Sequence, residues 1–475
     1  MGRPAGSLSA SAERLGRALY RQGQRADPGG ARRRPPARRH TAPSGPERNR
    51  ERPSAGAGAP GACRCGRRGP RGQRGELHLS GRALPAGTAP CRWAAADGVS
   101  RLAAARAADG SRPAASGLAA GGGVTTHIEI ISGLGHKAPA AILVATPTQR
   151  ILLDAGGSLE PDTADWPLPD RLDAVLLSHD HIDHIAGLAR LPPGVPIYCS
   201  AVTARALPPG MNVHPVAVRG RFSLGDLTVT TGSSGHAWGG VWFHLDVPGG
   251  LFYSGDISME SALFHFDPPP PASVALVDAS YGLYDVPQHQ QLDALWRHVH
   301  QPVLCPVPPS GRAVEMALLL ARRGAASVAM DEACREMLAQ MAWHNDGSVR
   351  PEVQVELRRL ADQLPPFHAD APIILAADPD GEQGTAGELR RRADFHHRTL
   401  FTGHMNQRAC AQHRAGEVDF CRWNVHPTQR CLQMLTVMLH CRLLAPLFTV
   451  IDDPARWQQT LGCEILTRPR FRMET

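Results

Sequence analysis

Lysine is almost missing from this chain: of 51 Lys and Arg in 475 residues, Lys137 is the only lysine. A bias that complete reads as GC-rich coding rather than surface design. Long apolar runs are missing too. The nearest candidate, Leu432 to Leu444, is interrupted by Gln433, Thr436, His440 and Arg442, well short of the roughly 18–20 apolar residues a membrane helix needs. No membrane partner is therefore expected. The eleven cysteines contain no CxxC pair, and Cys63 and Cys65 are the closest two. That argues against a disulfide framework and for reduced thiols in a cytoplasmic protein. No apolar h-region of a secretory signal is found near the N-terminus.

The formal charge of +7 suggests a nucleic-acid partner until it is divided along the chain. Residues 1–123 hold 23 arginines against 7 acids, a net +16, and the remainder is −9. The basic balance belongs to the first quarter, so it cannot argue for nucleic acid in the rest. Runs such as Arg32-Arg33-Arg34-Pro35-Pro36 and Gly66-Arg67-Arg68-Gly69-Pro70 carry charge and breakers without apolar periodicity. Residues 1–123 are expected to be a disordered leader. A start called too early, with initiation near Val124, is the preferred explanation over a transit peptide or an RNA-binding arm.

From His127 the texture changes. Apolar runs of strand length, bounded by Gly, Pro and Asp, occur at Ala141–Ala145, Ile151–Leu153, Ala174–Leu177, Leu227–Thr230, Val241–Val247, Leu251–Tyr253 and Val274–Val277. They predict packed sheets. Then the rhythm alternates. Strands at Val303–Val307, Ser327–Met330, Ile373–Ala376 and Thr399–Phe401 are separated by helices at Arg312–Arg322 and from Glu332, which predicts a parallel sheet covered by helices. Leu432, Leu435, Met438 and Leu439 predict a packed helix over Thr428–Leu444. The fold class is α/β.

The most informative stretch follows the strand ending at Leu177. His179-Asp180-His181-Ile182-Asp183-His184 packs three imidazoles and a carboxylate, H-x-H-x-D-H, into six residues. Nitrogen and oxygen donors suit zinc, and chance rarely produces that spacing. Other strand ends also deliver ligands: Asp154 after Leu153, His236 after Thr230 and Asp256 after Tyr253. Two cations ~3.5–4 Å apart at such a site hold hydroxide and neutralise charge on a phosphoryl or carbonyl oxygen.

With Asp154, His179-x-His181-x-Asp183-His184, His236 and Asp256 in this order, the sequence resembles the metallo-β-lactamase superfamily. The resemblance implies an αββα sandwich binding two Zn2+. It would place His179, His181 and His236 on one ion and Asp183 and His184 on the other. Asp256 would bridge them, and Asp154 would orient the ligands. Further on, Asp278-Ala279-Ser280-Tyr281-Gly282 and Ser310-Gly311-Arg312-Ala313-Val314-Glu315 are similar to motifs of the β-CASP branch, which includes ribonuclease J and the mRNA 3′-end cleavage endonuclease. Trp423-Asn424-Val425-His426 stands where that branch has its second signature histidine.

The branch implies a Rossmann-like cap inserted in the sandwich. The expected organisation is metallo-β-lactamase domain over 124–286, cap over 287–422 and return to the sandwich over 423–475. Asp278 and His426 would pair, with His426 protonating the leaving oxygen. Ser310, Gly311 and Arg312 would contact substrate phosphate. RNA-cleaving members carry a third signature histidine on the last such strand, read here as Leu447–Asp453. Asp452 is the expected replacement, a carboxylate still able to ligate zinc. DNA-processing members have an apolar residue there.

The expected function is therefore a zinc-dependent phosphodiesterase, a nuclease using metal-activated hydroxide on phosphorus, with RNA favoured over DNA and a homodimer admissible. Alternatives are a hydrolase of a small ester or phosphodiester, or a non-catalytic nucleic-acid-binding scaffold subunit.

Overall fold

The computed structural model describes residues 125–158, 165–325 and 327–474. The expected leader, residues 1–123, lies outside them. In chain order the strands are β1 (Thr125–Ser132), β2 (Ala141–Ala145), β3 (Arg150–Leu153), β4 (Ala174–Leu176), β5 (Ile197–Ser200) and β6 (Val213–Val216). Next come β7 (Gly220–Leu224), β8 (Leu227–Ser233), β9 (Val241–Leu245), β10 (Leu251–Tyr253) and β11 (Val274–Asp278). After these come β12 (Val303–Pro306), β13 (Val328–Met330), β14 (Ile373–Ala376), β15 (Arg398–Phe401) and β16 (Asp419–Phe420). The last three are β17 (Leu443–Leu447), β18 (Glu464–Ile465) and β19 (Arg470–Glu474).

They form three sheets. The first runs β19-β1-β2-β3-β4-β5-β6 and the second β18-β17-β11-β10-β9-β8-β7. Alternate side chains of these two sheets meet in one core, with Ile142, Val144, Ile151 and Leu153 on one side and Val229, Phe243, Leu245 and Leu276 on the other. The opposite faces are also apolar, because each is covered. Leu152, Val175 and Leu177 pack with Trp166, Ile185 and Leu188. Phe252, Ala275 and Val277 pack with Leu432, Leu435 and Leu439 of the helix Gln429–Leu439 and with Trp457. Strands buried on both faces read as continuous apolar runs rather than alternating ones, which is why these segments stand out in the sequence. The result is a two-sheet sandwich with helices outside.

Between β11 and β17 the chain builds the third sheet, order β13-β14-β12-β15-β16, parallel throughout. Val303, Cys305, Met330 and Leu375 face the helices Val314–Arg322 and Glu332–Trp343. Leu304, Ala329, Ile374 and Ala376 face Ala386 and Leu389 of the helix Gly384–Arg391.

Two sequence expectations need correction. The helix expected over Thr428–Leu444 stops at Leu439, where His440 turns left-handed with φ 52°. Leu443–Leu447 is instead β17, paired in parallel with β11. A short apolar run has no period that separates buried strand from helix. The helix expected from Arg312 begins at Val314, because Ser310 and Gly311 have non-helical backbone angles and Gly311 has φ 92°.

Candidate metal centre

The chemistry-bearing residues lie at the carboxyl ends of β3, β4, β8, β10 and β11. From β4 the chain passes through Ser178 and His179, and its second half winds into a helical turn at Ile182–Ile185 that carries Asp183 and His184. This loop is seated by backbone contacts: Ala140 N–H donates to Asp183 O at 2.8 Å, and Ala155 N–H to His184 O at 2.9 Å. Gly156 lies against it so closely that a Cβ there would stand 1.8 Å from Asp183 O.

Three groups of ligand atoms converge: His179, His181, His236 and Asp256; Asp183, His184 and Asp256; and Asp256, Asp278 and His426. Asp256 belongs to all three. Its carboxylate is 3.8 Å from His179 Nε2, 3.6 Å from His236 Nε2 and 3.2 Å from His184 Nε2. His179 Nε2, His181 Nε2, His184 Nε2 and Asp256 Oδ1 are buried without a hydrogen-bond partner. Several orphaned donor atoms aimed into one space are costly unless a cation satisfies them, so the residues fit the metal that the family likeness implies. Burial holds His179, His181 and His236 below the usual imidazole range, and the neutral form is the one that ligates. At His184 burial acts the same way, but the Asp256 and Asp154 carboxylates prevail and raise it.

The surrounding contacts fix ring orientation. His236 Nδ1 lies 2.6 Å from Val425 O, which leaves Nε2 facing the centre. Asp154, itself at φ 55°, lies 2.7 Å from His184 Nδ1 and accepts from Ser178 N–H, Ser178 Oγ and Tyr253 Oη. Asp278 accepts from Ile257 and Ser280 backbone N–H and lies 2.7 Å from His426 Nδ1. His426 is 14 % exposed, and its ring centroid is 5.0 Å from that of His236.

The segment bearing His426 is held from several sides. Tyr281 Oη donates to Trp423 O and accepts from Val425 N–H. Trp423 Nε1 donates to Glu315, a buried carboxylate that also accepts from Ser261 Oγ and Ala262 N–H. Gly311 reaches the His236 carbonyl, where a Cβ would come within 3.2 Å. Arg312 lies over Gly403, and a Cβ at Gly403 would stand 2.0 Å from its guanidinium. Ser310 Oγ and Arg312 Nε are buried without partners.

Asp452 is not brought to the cluster. β17 ends at Leu447, and Asp452 is exposed just before the helix Pro454–Leu461. The residue that leaves β17 beside the centre is Phe448, its ring 5.6 Å from the His184 ring. Placing the strand too late moved the expected ligand by four positions. Sequence reasoning also missed Lys137. Its Nζ donates to Asp183 Oδ2 at 3.2 Å and lies 5.1 Å from the Phe448 ring centroid. Its side chain remains 31 % exposed; desolvation opposes its charge, yet Asp183, Asp256 and Asp278 keep it above the ordinary lysine range. Asp183 is held at about 2: burial opposes this, but Lys137 and His184 outweigh it.

Residues 149–327 match the family model described as a beta-lactamase superfamily domain. No curated protein matches the chain. Among solved structures, the chain is similar to the crystal structure of a protein of unknown function from Enterococcus faecalis V583. The two are 13 % identical, with a TM-score of 0.50 over 74 % of this chain and 100 % of that one. Residues 149–327 thus carry a sandwich domain similar to the beta-lactamase superfamily, whose members are usually hydrolases, and the His/Asp cluster at its strand ends is suited to metal. Among the described residues no helix is long and apolar enough to cross a membrane.

Proposed function

We propose that the chain is a metal-dependent phosphodiesterase of nucleic acid, with the third sheet and its helices serving as a β-CASP-type cap. The observation that carries this reading is the Asp278–His426 pair beside the metal cluster. Asp278 holds His426 by Nδ1, leaving Nε2 to deliver a proton to a departing oxygen. A phosphodiester needs that proton at its leaving alkoxide. Arg312, with an unpartnered Nε, and Ser310, with an unpartnered hydroxyl, supply donors for phosphate oxygens.

His179, His181, His236 and Asp256 would hold a divalent cation, and zinc suits three imidazoles and a carboxylate. When bound, such a cation supplies Lewis acidity at the reacting phosphorus. RNA is the expected polymer. DNA is a second reading, favoured by Phe448. That apolar side chain occupies the strand end where RNA-cleaving β-CASP proteins have histidine.

The test is hydrolysis of 5′-labelled RNA, single-stranded DNA and bis(p-nitrophenyl) phosphate by the zinc-loaded chain, with His236→Ala as control. RNA cleavage lost in His236→Ala is the expected result. DNA cleavage alone selects the second reading. Turnover of the small diester alone overturns the nucleic-acid assignment, and a metal-loaded protein inert on all three overturns the enzyme.

A further inference from the structure

The two metal positions suggested by the ligand clusters are not equivalent. The first has four protein donors, His179, His181, His236 and Asp256. The second has Asp183, His184 and a share of Asp256, and the neighbouring strand end offers it the apolar ring of Phe448. Into the same space comes the only lysine of the chain, paired with Asp183.

Lys137 is delivered by a loop fixed at both ends. Leu134 bridges to Leu447, and Phe448 N–H donates to Gly133 O at 2.6 Å. Beyond the lysine, Ala140 N–H donates to Asp183 O. The backbone on either side of the lysine is thus tied to the site, and its side chain, 31 % exposed, reaches Asp183 and the Phe448 ring. A lysine there supplies a compact point charge on a flexible stem.

We infer that the Lys137 ammonium stands in for the second metal ion and that the centre takes one divalent cation, at His179, His181, His236 and Asp256. A cation bound to Asp183 at about 2.1 Å would share that carboxylate with the ammonium, and the two like charges would repel at close range. One positive charge from the protein and one exchangeable ion then face the four buried carboxylates Asp154, Asp183, Asp256 and Asp278. The inference rests on the cluster's being a metal centre and is independent of the substrate.

Metal content tests it. The full chain is saturated with ZnSO4, freed of excess by gel filtration and analysed by inductively coupled plasma mass spectrometry. The wild type is expected to hold one zinc per chain and Lys137→Met two, a doubling on removal of a side chain that ligates nothing. Asp183→Asn provides a second variant. It should leave the count at one, because its partner is the lysine, whereas in a two-ion centre it would lower the count from two to one. Two ions in the wild type, or a Lys137→Met variant still holding one, overturn the inference. A wild type holding none overturns the metal centre itself.

Discussion

At single residues, the site is governed by which buried polar atoms have partners. Asp154 accepts from three donors and holds His184. Asp154→Ala leaves Ser178, Tyr253 and His184 without it, so chemical denaturation should show a loss of about 3 kcal/mol or more. Asp278→Asn keeps the shape but removes the carboxylate that holds His426 Nδ1 at 2.7 Å. We expect kcat to fall about 10²-fold or more while zinc content stays at the wild-type value, a pair of readings that separates proton delivery from metal binding. His179, His181, Asp183, His184, His236 and Asp256 were all legible in the sequence because each is a ligand-type residue next to a strand end. Lys137 was not. Lysine in a loop has no local signature, and its use depends on a carboxylate 46 positions away. Its rarity was the available signal, and it was read as codon bias.

Among elements, close backbone approach decides more than side-chain contact. Gly156 allows the end of β3 to pass beside the His179–His184 loop. In Gly156→Ala the added methyl would collide with the Asp183 carbonyl, and such overpacking costs about 1–3 kcal/mol or more. The expected outcome is a lower unfolding midpoint together with substoichiometric zinc. Glu315 performs a different service, fastening the first turn of Val314–Arg322 to Trp423 and thereby to His426. Removing its carboxylate in Glu315→Ala would strand three buried donors. We expect about 2–4 kcal/mol of lost stability and, in the folded fraction, weaker activity with normal metal content. Strands such as β2 and β10 were legible to the residue, as largely buried apolar runs between turn residues. The boundary between the helix Gln429–Leu439 and β17 was not, since both are apolar and only the left-handed turn at His440 separates them. From that error followed the misplaced ligand at Asp452.

Across the molecule, the candidate metal centre draws on both sheets of the sandwich. His179 and His181 follow β4 of the first sheet, while His236 and Asp256 follow β8 and β10 of the second. A cation bound there fastens the two layers together, and a ligand that binds only the folded state adds about 4 kcal/mol at a thousandfold excess over its Kd. Chelation with EDTA should lower the thermal midpoint measured by calorimetry, and added zinc should restore it. An unchanged midpoint in a protein shown to have lost its metal would refute this coupling. The sandwich and the parallel sheet were both legible as a change of rhythm, from strands in series to strands alternating with helices. The sequence does not show how the third sheet meets the sandwich, because Glu315, Trp423, Tyr281 and Val425 come together only in three dimensions.

The pairing of β11 with β17 has a consequence for how this architecture can vary. The chain leaves the second sheet at Asp278 and rejoins it beside that same strand at Leu443, opposite Val274. The chain passes towards the third sheet along residues 281–288 and back along residues 423–430, which lie side by side: Asn424 Nδ2 donates to Val286 O and Gln429 N–H to Tyr284 O, both at 2.8 Å, so what lies between them is a detour with neighbouring entry and exit. Loop-closure entropy grows only slowly with length, so a detour of this kind can be lengthened, shortened or exchanged without reordering any strand of the sandwich. Variation in the third sheet and its helices can thus be confined to a replaceable cassette, while the strand ends β3, β4, β8 and β10 that bear the His/Asp cluster stay outside it.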